Sequence, residues 1–157
     1  MAATKATTLF SLTAVKTYLA ITDTSKDVAL VQIADAVSQR IESVTKRMFV
    51  TRALTEIRDG NGGLRLRLRY YPISTTTGFT LTQKTTQDAT TSTSYTYQTD
   101  FDLDLVNGII AMRSTPFYKL FQSVTVAYSP GFGAQAAITL PQDIYHAGLD
   151  YLKAVSA

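Results

Sequence analysis

The spacing of apolar residues changes near residue 48, and this change constrains the fold more than any other feature of the sequence. Before it, six apolar residues follow one another at steps of 4, 3, 4, 3 and 4, which places them along one face of a helix. They are Leu30, Ala34, Val37, Ile41, Val44 and Met48. From Phe49 the apolar period is two, which is typical of a strand. Helical segments followed by strands predict an α+β fold.

Local signals predict three helices. Ser11 can cap a short helix over Leu12–Leu19, because its side chain can accept a hydrogen bond from a free amide of the first turn. Thr24 and Asp27 form a loose capping box before the second helix. Pro141 fits the first turn of a last helix. The predicted apolar face of that last helix contains Ile144, Ala147, Gly148, Tyr151 and Val155.

The region between the helices predicts antiparallel strands. Residues 49–58 and 64–70 alternate around the turn DGNGG, so we expect them to form a β-hairpin. Further strands are predicted at 79–82, 95–97 and 123–128, and a hairpin at 103–112 turns at Asn107-Gly108. Residues 74–99 hold fifteen Ser or Thr in twenty-six positions. We expect a mobile loop over about 83–94, because these residues offer little apolar surface to bury.

Length and composition fit one soluble domain. The chain has 157 residues, of which 45% are hydrophobic, and a net charge of +3. We expect a single domain over 1–157, with helices over about 11–47, a β region over about 49–128 and a C-terminal helix over about 141–157 packed with an antiparallel β-hairpin sheet. There is no cysteine, which excludes disulfides, thiolate zinc sites and a cysteine nucleophile. No apolar run approaches the roughly 20 residues of a membrane helix, and no secretory signal is expected.

Sequence motifs that would indicate catalysis, metal binding or cofactor binding are weak throughout the chain. His146 is the only histidine, and a metal site needs several ligands at fixed spacing. The segment GFGAQA has the glycine spacing of a dinucleotide fingerprint, but no helix follows it directly, so a turn is expected. Asp100, Asp102 and Asp104 alternate along one predicted strand, without the glycine and glutamate of a calcium loop. We expect no enzyme activity, no cofactor and no metal; the aspartates either face solvent or pair with basic residues.

The segment LRLRLRYYP is the most unusual stretch of the sequence. Leu64, Leu66 and Leu68 are expected to face the core, which turns Arg65, Arg67 and Arg69 outward at roughly 6.5–7 Å spacing. We call these three arginines the arginine row. On one monomer the row can simply be a solvated face that protects a strand edge. Repeated around a ring, it becomes a basic belt that can contact phosphates without reading sequence, or carboxylates of an adjacent subunit.

The order of several phrases carries a family resemblance. The phrases are SLTAVKTYLA, IESVTKRMFV, RYYPI, NGII, VTVAYSPGF and LPQDIYHAGLDYL. Together they resemble the head–tail connector family of tailed phages, also called adaptor or head-completion proteins, over nearly the whole chain. Two departures are Lys46, which stands where glycine is common, and a Ser/Thr-rich stretch around 83–94 that is longer than usual.

The resemblance implies a structural role in the virion neck. Such proteins form a ring, usually of twelve subunits, under the portal after genome packaging. The ring extends the channel for double-stranded DNA, without sequence specificity, and joins the head to a stopper or tail-completion protein. It implies no cofactor, no membrane, and residence in the host cytoplasm during assembly. Two alternatives are a nucleic-acid-binding module that uses the arginine row, and a stopper or tail-completion component.

Three groups of residues are candidates for these contacts. The arginine row faces either the DNA channel or a neighbouring subunit, where charge pairing with Asp100, Asp102 and Asp104 is a hypothesis. The apolar face of the second helix is expected to pack on its own core, and its regular spacing also suits contact with a neighbouring subunit, for which the candidates are Leu30, Val37, Ile41 and Val44. We expect the portal to dock on the C-terminal helix, which ends the chain and can reorder. The portal-docking candidates are Ile144, Tyr145, Tyr151 and Leu152.

Overall fold

The computed structural model describes residues 8–133 and 141–156, and its described part contains three helices and seven strands. In chain order the elements are α1 Leu12–Leu19, α2 Asp27–Thr45, β1 Leu54–Arg58, β2 Arg65–Arg67, β3 Thr80–Gln83, β4 Thr93–Tyr95, β5 Phe101–Asp104, β6 Ile109–Met112, β7 Val124–Tyr128 and α3 Gln142–Ser156. The predicted α+β class is confirmed.

The chain divides into two compact units. The helical unit comprises the described residues up to Thr51 and from Phe132 onward, and the sheet unit runs from Arg52 to Gly131. A single domain over residues 1–157 stays a prediction.

The start of α1 follows the sequence prediction, and the start of α2 does not. The Ala14 N–H donates to Ser11 Oγ at 3.2 Å, so Ser11 caps α1. The capping box at Thr24 is wrong, because α2 begins after Lys26 with no side-chain cap. Asp27 instead forms an ion pair with Lys16, whose Nζ lies 2.8 Å from its Oδ1. This pair joins α1 to the first turn of α2. Among the described helices, none is long and apolar enough to cross a membrane.

The apolar face of α2 is buried only along its first part. Leu30 and Val37 are 3% and 2% exposed, whereas Val44 is 65% exposed. The helix ends at Thr45 because Lys46 takes a left-handed conformation at φ 56°, so Met48 lies beyond the helix. The continuous face predicted through Met48 is therefore wrong in its last third. The core of the helical unit contains Leu9, Phe10, Val15, Leu30, Ala34, Val37, Phe49, Val50, Leu149 and Leu152.

The buried face of α3 is rotated from the predicted one. Gly148, Leu149 and Leu152 are buried, while Tyr151 and Val155 are about half exposed. The reason is the close approach of Phe10, because a Cβ added at Gly148 would lie 2.5 Å from Phe10 Cζ. This contact fixes which side of α3 faces the core. The spacing of apolar residues along the sequence fits both sides of the helix and does not distinguish them.

Two antiparallel sheets form the sheet unit, with strand orders β1-β7-β3-β4 and β2-β6-β5. The predicted hairpin of residues 49–58 with 64–70 is wrong: β1 pairs with β7 along its whole length, and β2 pairs with β6. The predicted strand from residue 49 also begins later, because Phe49 and Thr51 belong to the helical unit, where they bond to Phe132 and Gly133. The β5–β6 hairpin is confirmed, with Gly108 in its turn at φ 63°.

The Ser/Thr-rich stretch links β3 to β4, which pair antiparallel. Within it, the Ala89 N–H donates to Thr86 O at 3.2 Å, and the Lys84 N–H donates to Ser123 O at 2.9 Å. The mobility of this loop stays a prediction. The predicted turn at GFGAQA begins with Gly131 and Gly133 at φ 128° and 136°, and its last residues lie outside the described part of the chain.

Gln83, at the end of β3, gives a stability prediction. Its side chain is 0% exposed, and neither amide atom has a hydrogen-bond partner among the described residues. Replacing it by methionine keeps the chain length and removes the buried polar group, so Gln83→Met should raise the free energy of unfolding by about 1–2 kcal/mol. Urea unfolding measures this. Gln39→Met is the matched control at an exposed site; an equal gain there, or a loss at Gln83, would contradict the prediction.

Candidate assembly and DNA-facing surfaces

The arginine row lies at a sheet edge. Arg65 and Arg67 belong to β2, which is an edge strand of its sheet, and Arg69 follows it; all three side chains are exposed. Leu66 and Leu68 are buried at 5% and 2% exposure. Leu64 is 46% exposed, so its predicted core position is wrong. It precedes the first β2 residue and is therefore outside the alternation. The row is therefore an exposed cationic sheet edge. Both interpretations of the row, protection of the strand edge and contact with phosphates, require this exposure.

Two tyrosines support the row. The Cζ of Arg67 lies 4.8 Å from the centroid of the Tyr71 ring, and the Cζ of Arg69 lies 5.4 Å from that of Tyr70. A ring face attracts a guanidinium and limits its motion, while the N–H groups at the edge of the guanidinium stay available to an anion. We did not infer this contact from the sequence, although the phrase RYY contains the necessary residues. The row is thus partly ordered before it meets any partner.

A buried carboxylate fixes the backbone at the end of the row. Glu56, on β1, is 8% exposed, and both of its carboxylate oxygens accept from the Arg69 N–H, at 3.1 and 3.2 Å. The Tyr128 hydroxyl donates to Glu56 Oε2 at 2.6 Å and accepts from the Tyr70 N–H at 3.3 Å. Arg58 Nη1 lies 3.3 Å from Glu56 Oε1. The network therefore holds the Arg69 and Tyr70 backbone against β1 and β7.

The Tyr128 hydroxyl makes stability sensitive to alkaline pH. Burial, and then the hydrogen bond to Glu56, raise the pKa of Tyr128 above its ordinary value of 10.0. The unfolded chain therefore loses this proton first, and the free energy of unfolding should fall as pH rises above about 10. Tyr128→Phe should flatten that fall, as measured by urea unfolding at pH 8 to 11. Tyr151→Phe, at a half-exposed ring, is the control, and equal flattening by both variants would contradict the prediction.

The aspartate strand already has partners within the chain. Asp102 forms a two-point ion pair with Arg113, with N–O distances of 2.8 and 3.0 Å, and this hydrogen bonding lowers the pKa of Asp102. Asp100 accepts from the Thr96 N–H at 2.7 Å. Asp104 accepts from the backbone and side chain of Asn107, which lowers the pKa of Asp104. In the described residues, no group of three His, Cys, Asp or Glu side chains could hold a metal ion.

Hydrogen bonds therefore bind Asp102 and Asp104 to the β5–β6 hairpin and the residue that follows it, while Asp100, just before β5, is bound to Thr96. Within the described part of one chain, no ion pair joins the aspartate strand to the arginine row. Charge pairing of the two across a subunit boundary stays a hypothesis. Such pairing would have to compete with the Asp102–Arg113 pair, which is already formed.

A groove between α2 and α3 is one concave, mostly apolar surface of the helical unit. We call it the α2–α3 groove; it has a volume of about 330 Å³, and its lining includes Ile33, Ala36, Val37, Arg40, Tyr151 and Val155. Tyr151 and Val155 are 49% and 53% exposed. Two further depressions beside Tyr151 extend along α2 to Ile41 and Val44. These exposed apolar side chains are suited to contact with another protein surface.

The groove changes the set of candidate contact residues. Leu30 is buried in the core of its own unit, and Val37 contributes only to the floor of the groove, so both follow the own-core alternative and neither presents a side chain to a neighbouring subunit. Leu152 is 0% exposed and cannot reach a portal in this conformation. Ile144 and Tyr145 are half-buried, while Ile41 and Val44 border the groove. Tyr151 is the predicted docking residue that the structure leaves most accessible.

Comparisons with known proteins agree with this fold. No family model and no curated protein matches the sequence. A chain from the neck of an empty gene transfer agent (GTA) particle, computed with C6 symmetry, superposes with a TM-score of 0.67 at 17% identity, covering 94% of this chain and 79% of that one. A chain of the virion of a native GTA particle gives 0.67 at 19% identity, with 95% and 78% covered. A chain from the neck of a native GTA particle, computed with C12 symmetry, gives 0.61 at 19% identity, with 95% and 79% covered. This chain therefore has the fold of neck chains of gene transfer agent particles, in agreement with its resemblance to phage head–tail connector proteins.

Proposed function

We propose that this protein is a non-enzymatic structural component of a phage-type virion neck. The observation that carries the proposal is the structural likeness to GTA neck chains over 94–95% of this chain. The likeness extends over both units, so it is more than the sharing of one common motif. In this role the protein joins a DNA-filled head to the next neck or tail component. Its location would be the virion, after assembly in the host cytoplasm.

The proposed assembly is a closed ring, with twelve subunits as the expected number. Two of the similar neck chains come from particles computed with C6 and C12 symmetry, which supports a cyclic arrangement here. A closed ring uses heterologous contacts, so each subunit needs two different adhesive surfaces. The α2–α3 groove is suited to be one of them. The portal on one side and a stopper or tail-completion protein on the other are the proposed partners.

The arginine row is proposed to line the DNA channel. Its guanidinium groups are exposed and supported by Tyr70 and Tyr71, and its contacts to phosphate would carry no sequence information. One copy of the row binds duplex weakly, whereas a ring presents it once per subunit around a common axis. A channel lining of this kind holds DNA electrostatically without stopping its passage.

Charge removal tests this placement. Replacing Arg65, Arg67 and Arg69 together by glutamine should weaken duplex binding by the assembled ring and reduce the slope of log K against log salt by about 0.9 for each phosphate that is no longer neutralised. Ring formation should be unchanged. The control variant replaces Lys26, Lys46 and Lys153, which lie in the helical unit, by glutamine. If the arginine variant fails to form rings while the lysine variant forms them, the row lies at a subunit interface instead.

Electron microscopy tests the function itself. Purified full-length chain would be imaged alone and after mixing with filled, tailless capsids, with native mass spectrometry to count subunits. The expected result is a ring of about twelve copies seated at one vertex of each capsid. A protein that stays monomeric with capsids, yet binds duplex as a monomer with a steep salt dependence, would support the nucleic-acid-binding alternative and overturn the proposal.

A further inference from the structure

Two loops meet at one end of the sheet unit and hold a short segment between β6 and β7. Gln87, in the Ser/Thr-rich loop, contacts both backbone groups of Phe121: its Nε2 donates to the Phe121 carbonyl at 3.2 Å, and its Oε1 accepts from the Phe121 N–H at 3.1 Å. Asp59 Oδ1 accepts from the Gln122 N–H at 2.7 Å, and the Gly60 N–H donates to Leu120 O at 2.9 Å. We call residues 118–122 the Phe121 tip.

The tip presents an aromatic side chain to solvent on a held backbone. The Phe121 side chain is 63% exposed, and Tyr118 beside it is 38% exposed. An exposed phenyl ring on a loose loop would lose conformational entropy when bound, but hydrogen bonds on both sides of Phe121 already fix its backbone. Aromatic side chains, Phe included, are enriched in the cores of protein interfaces, where they enter apolar pockets on the partner.

The α2–α3 groove has the complementary form. It is concave and apolar, and its volume of about 330 Å³ exceeds that of one phenyl group. Its lining contains one charged side chain, Arg40, which is exposed and forms no ion pair with any described residue. A suitable occupant is therefore an aromatic side chain with a carboxylate nearby. The Phe121 tip has this composition, because the exposed Asp59 carboxylate bonds to the residue next to Phe121.

We infer that Phe121 of one subunit inserts into the α2–α3 groove of a second copy, with Asp59 directed toward Arg40. This inference rests on the proposed ring, since it supplies the two unlike surfaces that a heterologous contact requires. Repeated head to tail, the contact joins the sheet unit of each subunit to the helical unit of the next. It gives Gln87, and thus the Ser/Thr-rich loop, a role in orienting the aromatic side chain.

Disulfide trapping tests the contact directly, because the chain contains no cysteine. A Gln122→Cys chain, which keeps Phe121, and an Ala36→Cys chain should form a cross-linked dimer when they are mixed and oxidised, because Gln122 is exposed next to Phe121 in the tip. A chain with both substitutions should give a ladder that ends at the ring size. The matched control places the cysteine at Val106, which is 71% exposed on the β5–β6 turn of the same unit, and should give no specific cross-link with Ala36→Cys.

Charge insertion gives a second measurement. Phe121→Asp and Ala36→Asp each alter an exposed residue, so both chains should fold, and each alone should require about tenfold or more higher concentration to assemble. Mixed in equal amounts, they should form dimers and nothing larger, because each dimer has one intact contact and two altered ends. Rings of Phe121→Asp at wild-type concentration, or rings of the double-cysteine chain that show no 122–36 cross-link, would overturn this contact and leave the proposed function standing. Wild-type chains that never assemble would overturn both.

Discussion

Replacing Gly60 by alanine is expected to destabilise the sheet unit by at least about 3 kcal/mol. A Cβ added at Gly60 would lie 1.7 Å from the carbonyl oxygen of Tyr118 and 2.8 Å from its carbonyl carbon. Both atoms belong to the backbone, so no side-chain rotation can relieve the overlap. The two loops would have to separate, which breaks the hydrogen bond from the Gly60 N–H to Leu120 O. Urea unfolding followed by circular dichroism measures the loss.

Gly62 is the matched control in the same loop. Its φ is +78°, and an added Cβ would meet only Lys119 Cβ, at an ordinary distance of 3.7 Å. Gly62→Ala should therefore cost only about 1–2 kcal/mol, because alanine is disfavoured in the left-handed conformation that glycine adopts freely. Equal losses for the two variants would show that the close approach of Tyr118 to Gly60 is not what requires glycine there.

Features set by neighbouring residues were predictable from the sequence. The Asn107-Gly108 turn needs a positive φ that glycine adopts readily, and it forms the predicted β5–β6 hairpin. Ser11 caps α1 because its partner, the Ala14 N–H, is three residues away. The outward direction of the arginine row follows from the period of two along a strand. In each case the interacting groups lie close in sequence, so the local residue pattern is sufficient to predict the feature.

Pairings between distant strands were not predictable in the same way. DGNGG has the composition of a hairpin turn, but β1 pairs with β7 and β2 with β6, so the segment connects two sheets. Alternating side chains show that a segment is a strand and do not identify its neighbour. The choice depends on packing across the whole unit, where Val124, Val126 and Tyr128 of β7 are buried.

The candidate surfaces also combine local features, which the sequence predicted, with features of distant packing, which it did not. Spacing along α2 identified a helix face, but it could not show that Leu30 and Val37 contact their own core while Val44 stays exposed. The α2–α3 groove exists only when the two helices pack, because Tyr151 and Ile33 are far apart in sequence. Likewise, Gln87 and Phe121 come from different loops. Nothing in the local sequence of Phe121 distinguishes an exposed aromatic from a buried one.

Replacing Glu56 by leucine is expected to lower the free energy of unfolding by about 3–4 kcal/mol. Leucine removes the acceptor of both the Arg69 N–H and the Tyr128 hydroxyl, and it leaves these donors without their partner in a buried environment. Glu56→Gln keeps an oxygen for one donor but presents N–H groups to the other, so its loss should be smaller, at about 2 kcal/mol. The pair with Arg58 contributes little, because that guanidinium is 40% exposed.

The double variant Glu56→Leu/Tyr128→Phe separates the hydrogen bond from general packing. It removes the unsatisfied hydroxyl, so its loss should be less than the sum of the two single losses, which a double-mutant cycle measures from urea unfolding. Asp102→Asn is the control, since it removes a carboxylate from an exposed ion pair and should cost much less.

Because Glu56 holds the backbone of Arg69 and Tyr70, Glu56→Leu should also weaken duplex binding by the ring. Additive losses would show that Glu56 and Tyr128 act independently, and the support of the arginine row would then have to come from Tyr70 and Tyr71 alone.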